Sequence, residues 1–329
     1  MKDRMILKSA CAFILVLMLL LSMTACIGET AAFSLDDCAA AMLESVREPA
    51  YGSVGGEWAA LGLARWGGEV PQDWFESYYE AVETYVGSCE GVLDTRKHTE
   101  YARVILTLTA IGRDPADVGG YDLLVPLADY EQTVFQGING AVFALLALDS
   151  GSYEIPRNTA DGTQASRELY VDYILTTECS GGGWALSGME ADIDITAMTV
   201  QALAKYRDRQ DVADAIDRAL ILLSERQNED GGYTAAAPDG SASESSESVS
   251  QVIVALTELG ISMDDPRFVK NGHTLEDRLL DYLTENNGFR HVMEGEANLI
   301  ATEQAFYALV AIHRMEQGQT TLYDMSDVG

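Results

Sequence analysis

The chain has 329 residues, of which 47% are hydrophobic, and a formal net charge of −31 at pH 7. So large an excess of carboxylates repels phosphates, which excludes nucleic acid and anionic membrane surfaces as expected partners.

The first 25 residues have the pattern of a secretory signal. The short basic region "MKDRMILK" precedes the apolar run "SACAFILVLMLLLSMTAC". The end of this run, residues 23–26, resembles a bacterial lipobox, in which the cysteine receives lipid after cleavage. The alternative is an ordinary signal peptide cut slightly later, with no role for Cys26. We expect residues 1–25 to be removed and residues 26–32 to form a tether lipidated at Cys26.

The expected location is therefore the bacterial cell surface, outside the cytoplasm, with simple secretion as the alternative. No later stretch is long and apolar enough to span a bilayer, so membrane contact is expected through the lipid alone.

An eight-residue pattern ending in leucine recurs six times along the chain. Its fourth position is Ala, Thr or Val, and its seventh is mostly Ala. Small residues three apart on one helical face let two helices approach closely, while the leucine fills the space between neighbours. The octets are "GEWAALGL" (56–63), "TEYARVIL" (99–106), "INGAVFAL" (138–145), "TAMTVQAL" (196–203), "VSQVIVAL" (249–256) and "TEQAFYAL" (302–309).

Amphipathic segments alternate with the octets. They carry apolar residues at three- and four-residue spacing with acids on the other face. In the third segment Pro126 predicts a helix that starts near the proline. The segments are 35–48, 71–86, 121–135, 166–177, 211–227 and 274–285.

Six such hairpins predict an all-α (α/α)6 toroid, with the octet helices as the inner ring and the amphipathic helices as the outer ring. We expect this domain to occupy residues 33–315 and a C-terminal tail to follow at 316–329. An open solenoid is the alternative, but it would need polar capping helices, and neither end shows one.

The segment "LSERQNEDGGY" resembles the Gln-Trp repeat of terpene cyclases and protein prenyltransferase β subunits, with Tyr233 in the Trp position. The phrases "TRKHTEYARVILTLTAIG", "QGINGAVFALLALDSGSYEIP" and "ESVSQVIVALTELGI" are similar to secreted bacterial prenyltransferase and squalene oxidase repeat proteins. That group also resembles the toroid of the cobalamin carriers intrinsic factor and transcobalamin. The resemblance implies an α/α toroid and leaves the activity open.

The stretch "ADIDITAM" (191–198) resembles the Asp-x-Asp-Asp-Thr-Ala segment with which class II terpene cyclases protonate an alkene. Asp192 and Asp194 match the first two acids, but Ile195 replaces the third. The resemblance therefore implies at most a degenerate cyclase. We expect Asp194 to cap the fourth inner helix and to lie at the rim of the ring.

Metals and disulfides have little support in the sequence. Prenyltransferases usually bind zinc through an Asp-x-Cys pair and a distant histidine, and no Asp-x-Cys occurs here. We expect no metal and no cofactor, and we expect the four histidines to be exposed or capping. The three cysteines at 38, 89 and 179 allow one disulfide at most and are expected to be small buried hydrophobes.

Polar and aromatic residues cluster where the inner helices begin. Ser, Thr and Asp there are ordinary N-caps, so capping alone is one interpretation. Against it, several carboxylates that converge in a partly desolvated basin are costly unless they find protons, cations or donors, and such a cost marks a site. The predicted ligand-binding residues are Glu57, Trp58, Glu100, Tyr101, Asn139, Trp184, Asp192, Asp194, Glu247, Gln251 and Glu303.

Two functional hypotheses follow from this cluster. The first is a monomeric binding protein that holds a small ligand, corrinoid-like or glycan-like, or a separate surface protein. The cobalamin carriers use a second β-rich domain, which this chain does not supply. The second is an enzyme in which Asp194 and Glu247 act as general acid and base, most plausibly on a glycan.

Overall fold

A computed structural model describes residues 33–236 and 242–329, and Leu35–Gly329 form one compact unit. The predicted signal peptide and the tether with Cys26 lie outside the described residues. The described residues form twelve α-helices: α1 (Leu35–Ser45), α2 (Trp58–Trp66), α3 (Gln72–Ser88), α4 (Thr99–Ala110), α5 (Tyr130–Val134), α6 (Ile138–Ser150), α7 (Arg167–Thr176), α8 (Ile193–Leu203), α9 (Gln210–Arg226), α10 (Ser246–Glu258), α11 (Leu275–Leu280) and α12 (Leu299–Glu316).

The even-numbered helices form a closed inner ring. Each of them contacts the next along the chain, and α12 returns to contact α2. The odd-numbered helices lie outside, and α7, α9 and α11 each contact an inner helix. The protein is therefore an (α/α)6 toroid, as the alternation of octets and amphipathic segments predicts.

The octets form the packed wall of the inner ring. Their final leucines are at most 3% exposed, because each fills the space between neighbouring helices. A Cβ added to Gly62 would lie 2.9 Å from the Phe306 ring, so the missing side chain lets α2 and α12 meet. The six leucines are Leu63, Leu106, Leu145, Leu203, Leu256 and Leu309.

Two outer helices and one hairpin differ from the sequence-based expectation. The segment around Pro126 divides into a 3₁₀ turn at Val125–Ala128 and the short α5. The last outer helix stops at Leu280, because the chain then turns and the Thr284 N–H binds the Gly288 carbonyl at 2.8 Å. A two-stranded antiparallel hairpin, β1 (Thr234–Ala236) with β2 (Ala242–Glu244), precedes α10 and was not expected.

Side-chain caps fix the start of three successive inner helices. Asp192, Ser245 and Asn298 each accept a hydrogen bond from the backbone N–H three residues on. Each cap lies four residues before its octet. The expectation that Asp194 caps α8 is therefore wrong: Asp192 occupies that position, and the carboxyl of Asp194 stays available for other contacts.

Two glycine-aromatic turns are tied to the helices that follow them. The Thr196 hydroxyl accepts a hydrogen bond from the Trp184 N–H at 3.0 Å, and Thr302 does the same for Phe289 at 2.9 Å. Both aromatic rings are fully buried. Gly183 has φ +74, and a Cβ there would lie 2.7 Å from the Thr196 hydroxyl, so this turn requires glycine.

The C-terminal tail packs against the end of the barrel opposite to these turns. Asp327 binds both Arg65 on α2 and Arg314 on α12, at 2.7 and 2.5 Å. Cys38, Cys89 and Cys179 are free thiols, and only the first is fully buried. Within the described ranges, no helix is long and apolar enough to cross a membrane.

Candidate functional site at the N-terminal mouth of the inner ring

Three aromatic side chains contact one another inside the ring, near its N-terminal opening, which we call the mouth. The Trp58 ring lies 6.2 Å from Phe143 and 6.0 Å from Tyr307, centroid to centroid. Trp58 is on α2 and Phe143 on α6, and α4 separates these helices in the ring, so the first contact crosses the lumen. We call these three residues the lumen floor. The Trp58–Phe143 contact therefore places two ring faces inside the ring, on the way in from the mouth.

A chain of amides lies beside the floor and joins three inner helices. Gln201 on α8 donates to the Gln251 side-chain oxygen at 3.0 Å, and Gln251 donates to Gln304 at 2.9 Å and to the Tyr307 hydroxyl at 2.7 Å. Gln251 is 7% exposed. Its amide is held on both sides, so it positions Tyr307.

The first acidic group of the mouth is neutralised within the protein. Arg103 binds Glu57 at 2.8 Å and Glu100 at 2.7 Å. Glu57 is fully buried and also accepts bonds from the Gly52 N–H and the Tyr78 hydroxyl. A buried carboxylate with these partners is a structural element that holds the start of α2 against α4.

Glu303 is a buried acid with one unused oxygen. Its Oε1 accepts the Gly55 N–H at 2.7 Å, whereas Oε2 is buried without a partner among the described residues. Burial raises the pKa of Glu303 to about 8, the charge of Glu57 adds to the shift, and the Gly55 N–H opposes it. At neutral pH this side chain is mostly a neutral proton donor.

Asp194 lies in the first turn of α8, and its pKa is also raised. Burial raises the pKa of Asp194 to about 6, the charges of Asp192 and Glu247 add to the shift, and Ser248 opposes it. Its Oδ1 is shielded from solvent and has no hydrogen-bond partner in the described part of the chain. A carboxyl with this environment keeps its proton at mildly acidic pH and can donate it.

Glu247 lies in the first turn of the neighbouring helix α10 and has a different environment. Both of its oxygens lie within 2.9 Å of His291 Nδ1, and Oε2 also accepts the Ser246 hydroxyl at 3.3 Å. The His291 side chain is 53% exposed, so this pair faces solvent. Two neighbouring carboxyls, one desolvated and one hydrogen-bonded to a histidine, can take different roles in proton transfer.

Most of the predicted site residues lie at the mouth, but two predicted aromatic residues are buried away from it. Tyr101 is 2% exposed and packs edge-on against His98 between the helices. Trp184 is fully buried and donates its indole N–H to the Ile174 carbonyl at 2.8 Å. Neither ring can contact a ligand in the mouth. Asn139, at the start of α6, is partly exposed, as the prediction requires.

The histidines also differ from expectation. His98 is 7% exposed and its Nδ1 lies 3.0 Å from the Thr133 hydroxyl, so it is neither exposed nor a side-chain cap. His291, Phe143 and Tyr307 belong to the site and were not predicted. The signal for the two aromatics was present, since both occupy the sixth position of their octets.

No protein-family model matches the sequence, and a search of curated proteins finds no match. Among solved structures, unsaturated glucuronyl hydrolase from Bacillus sp. GL1, described as responsible for the degradation of glycosaminoglycan, aligns with 89% of this chain and 97% of its own. The TM-score is 0.57 at 13% identity. A structure of a substituted UGL with dGlcA-Glc-Rha-Glc aligns equally, at 13% identity and a TM-score of 0.57.

These similarities show a shared α/α toroid fold. The resemblance to terpene cyclases, prenyltransferases and squalene oxidase repeat proteins stays a prediction. Among the described residues, no group of three or more His, Cys, Asp or Glu side chains is arranged to hold a metal ion.

Proposed function

We propose that the mouth binds the end of a glycan and hydrolyses its glycosidic bond, with Asp194 and Glu247 as the reacting carboxyls. The observation that carries the proposal is the environment of Asp194: a carboxyl whose pKa burial raises to about 6, with one shielded oxygen that has no partner among the described residues. The likeness of the fold to glucuronyl hydrolase structures supports a glycan as the class of substrate.

In the proposed reaction Asp194 gives its proton to the glycosidic oxygen as the bond from that oxygen to the anomeric carbon breaks. Glu247 accepts a proton from the water whose oxygen bonds to the anomeric carbon. One water is consumed, and the products are a free sugar and the shortened glycan. The Nδ1 of His291 lies 2.8 Å from the Glu247 carboxylate and positions it.

The charges at the mouth favour a neutral sugar over a uronic acid. Arg103 already binds two glutamates, and the histidine beside Glu247 is engaged as well. A substrate carboxylate would therefore meet the unpaired carboxyl of Asp194. Trp58 and Phe143 offer apolar ring faces to the sugar.

The lumen floor favours action at a chain end. Because Trp58 contacts both Phe143 and Tyr307 inside the ring, we expect a glycan to enter from the mouth and to stop at these three rings. A terminal sugar can reach Asp194 at the mouth, whereas an internal sugar would need an open cleft on both sides.

The test is turnover of 4-methylumbelliferyl glycosides by the purified domain, residues 27–329. The panel comprises neutral hexosides and pentosides, saturated glucuronide and an unsaturated glucuronyl disaccharide. We expect release from at least one neutral glycoside and none from the uronides. Asp194→Asn and Glu247→Gln should each lower kcat at least about 100-fold, while the exposed Asp217→Asn on α9 serves as the matched control.

Turnover that survives Asp194→Asn would overturn the assignment of the acid. Preferential cleavage of uronides would overturn the charge argument. Saturable sugar binding without turnover on any substrate would favour the binding-protein hypothesis instead.

The location of the protein stays a proposal of its own. A lipid at Cys26 would hold the toroid on the outer face of the membrane. Cys26→Ser should then shift the protein from the membrane fraction to the medium, and an unchanged distribution would count against lipidation.

A further inference from the structure

A cavity of about 340 Å³ lies at the opposite end of the barrel, where α6, α8 and α10 end. We call it the basal cavity. Its buried lining residues with polar side-chain atoms are Gln201, which is 3% exposed, and Tyr323, which is 8% exposed. The tail residue Thr321 lies beside them, and Leu146, Ala202 and Ala204 add an apolar wall. Its volume is within the range of small-molecule sites.

One acceptor without a partner, on Gln201, and one carboxyl without an ion pair, on Glu258, line this cavity among the described residues. The Nε2 of Gln201 donates to the carbonyl and the side-chain oxygen of Gln251, while its Oε1 is buried without a partner in the described ranges. Glu258 accepts the Tyr323 N–H at 3.1 Å and forms no ion pair within the described part of the chain. Burial raises the pKa of Glu258 to about 7, opposed by Thr321 and the Tyr323 N–H.

Helix ends add negative potential at the same place. α6 ends at Ser150, α8 at Leu203 and α10 at Glu258, so the carbonyl ends of three helices surround the cavity. The partial negative charge at helix C-termini favours a cation. Two basic side chains at the exposed edge already donate hydrogen bonds within the protein. Lys205 donates to the Asp149 carbonyl at 3.0 Å, and Arg207 donates to the Leu259 carbonyl at 3.1 Å.

We propose that the basal cavity binds a small molecule with a primary ammonium group and an apolar body, with Gln201 Oε1 and the Glu258 carboxylate as acceptors of its N–H groups. A primary ammonium has three donors and no acceptor, which suits a base that offers acceptors. A quaternary ammonium has no N–H to give and is excluded by the same geometry. The site is separate from the mouth and does not depend on the proposed glycan hydrolysis.

The experiment is calorimetric titration of the domain, residues 27–329, with three probes that share a benzyl group, at pH 8. Benzylamine carries the ammonium, benzyl alcohol removes the charge, and benzyltrimethylammonium keeps the charge without N–H donors. We expect saturable binding of benzylamine with one site per chain, and at least tenfold weaker binding of the other two probes.

Variants locate the binding. Glu258→Gln should lower the affinity for benzylamine at least tenfold. Glu225→Gln, at an exposed position on α9, should leave the affinity for benzylamine unchanged. If Glu258→Gln fails to fold, Ala204→Leu is the second variant, since it fills the cavity from its wall while Glu258 stays in place. It should also abolish binding.

Three results would overturn the proposal: no saturable binding of benzylamine, equal affinity for all three probes, or full affinity in both cavity variants. None of these measurements involves a glycan. Any of the three results would therefore leave the reaction proposed at the mouth unaffected.

Discussion

At the scale of single residues, the mouth contains buried acids of two kinds, paired and unpaired. Glu57 is fully buried yet paired with Arg103, whereas Asp194 and Glu303 are raised in pKa and each keep an oxygen without a partner among the described residues. Paired acids stabilise the fold, while unpaired buried acids cost stability and are retained where a ligand or a proton is handled. This difference separates the structural acids from the candidate functional ones.

Asp194→Asn should make the protein more stable at neutral pH. The pKa of Asp194 rises from 3.8 unfolded to about 6 folded, so the folded state keeps the proton between these values while the unfolded state releases it. The contribution of Asp194 to stability therefore falls as pH rises from about 4 to 6. When the pH rises from 4 to 7.5, we expect the unfolding free energy of the variant to increase by about 1–2 kcal/mol relative to that of the native protein, as measured by urea unfolding.

The matched control for this series is Asp217→Asn, whose side chain is exposed on α9. Its unfolding free energy should stay equal to that of the native protein over the same pH range. A loss of stability in Asp194→Asn at pH 7.5 would mean that the ionised carboxylate has a stabilising partner, and the proposal for the acid would then lose its physical basis.

Arg103→Met should destabilise the protein strongly. The change removes the only positive charge that the described contacts bring to Glu57, and Glu57 is fully buried. Breaking a buried pair by removing one partner costs about 3–5 kcal/mol. Arg209→Met removes a surface arginine that pairs with Asp172 and Asp211, and it should cost less than about 1 kcal/mol.

Urea unfolding of the two arginine variants measures the difference directly. The double variant Glu57→Gln/Arg103→Met should recover part of the loss, because the buried charge is then absent. Equal effects of Arg103→Met and Arg209→Met would show that Glu57 is hydrated in solution.

At the scale of elements, the octet determines how closely helices approach. Gly140 on α6 is the clearest case, since a Cβ there would lie 1.9 Å from the Thr133 carbonyl oxygen. A backbone oxygen cannot move aside as a side chain can. Gly87, near the end of α3, has nothing within 4 Å of the corresponding position.

Alanine substitution at these two glycines should therefore have opposite effects. Gly140→Ala should cost about 3 kcal/mol or more, because the clash exceeds the helix-propensity gain of about 1 kcal/mol. Gly87→Ala should gain about 0.5–1 kcal/mol, since only the propensity remains. Thermal and urea unfolding measure both, and a stabilising Gly140→Ala would contradict the close approach of α6 to the residues before it.

The sequence predicts the elements better than it predicts the site, for a physical reason. Octet position and hydrophobic period identify which segments are inner helices, because burial of leucine and small residues is a property of the whole face. A site also needs the rotation of each helix about its axis, and one residue changes that rotation by about 100°. Trp58 and Tyr101 share the third octet position, yet Trp58 belongs to the lumen floor and Tyr101 packs against His98 instead.

At the scale of the whole molecule, the closure of the ring depends on contacts between the two ends of the described chain. The contact of α12 with α2 was implied by six equal hairpins, but the role of the tail was not. Arg65 donates to the Leu322, Thr321 and Asp324 carbonyls at 2.8–3.1 Å and is 2% exposed. No octet or helix period marks such a contact, because it joins residues more than 250 positions apart.

Asp327 is the carboxylate that joins the first and last inner helices, and its removal should weaken the closed ring. Burial alone would raise its pKa, but hydrogen bonds from Arg65 and Arg314 lower the pKa of Asp327 to about 2. Its stabilisation is therefore present above pH 4 and is lost as pH falls towards 2. Because the side chain is 38% exposed, we expect Asp327→Asn to cost about 2 kcal/mol at pH 7.

Urea unfolding at pH 7 and pH 3 tests this closure. The difference in unfolding free energy between Asp327→Asn and the native protein should narrow at the lower pH, because the unfolded native chain takes up a proton at this carboxyl below its pKa of 3.8 while the folded carboxylate and both arginines stay charged. Asp217→Asn, on the outer ring, should have the same unfolding free energy as the native protein at either pH. If Asp327→Asn unfolds like the native protein at pH 7, the two arginines are held by the tail carbonyls alone, and the ring closes without help from this ion pair.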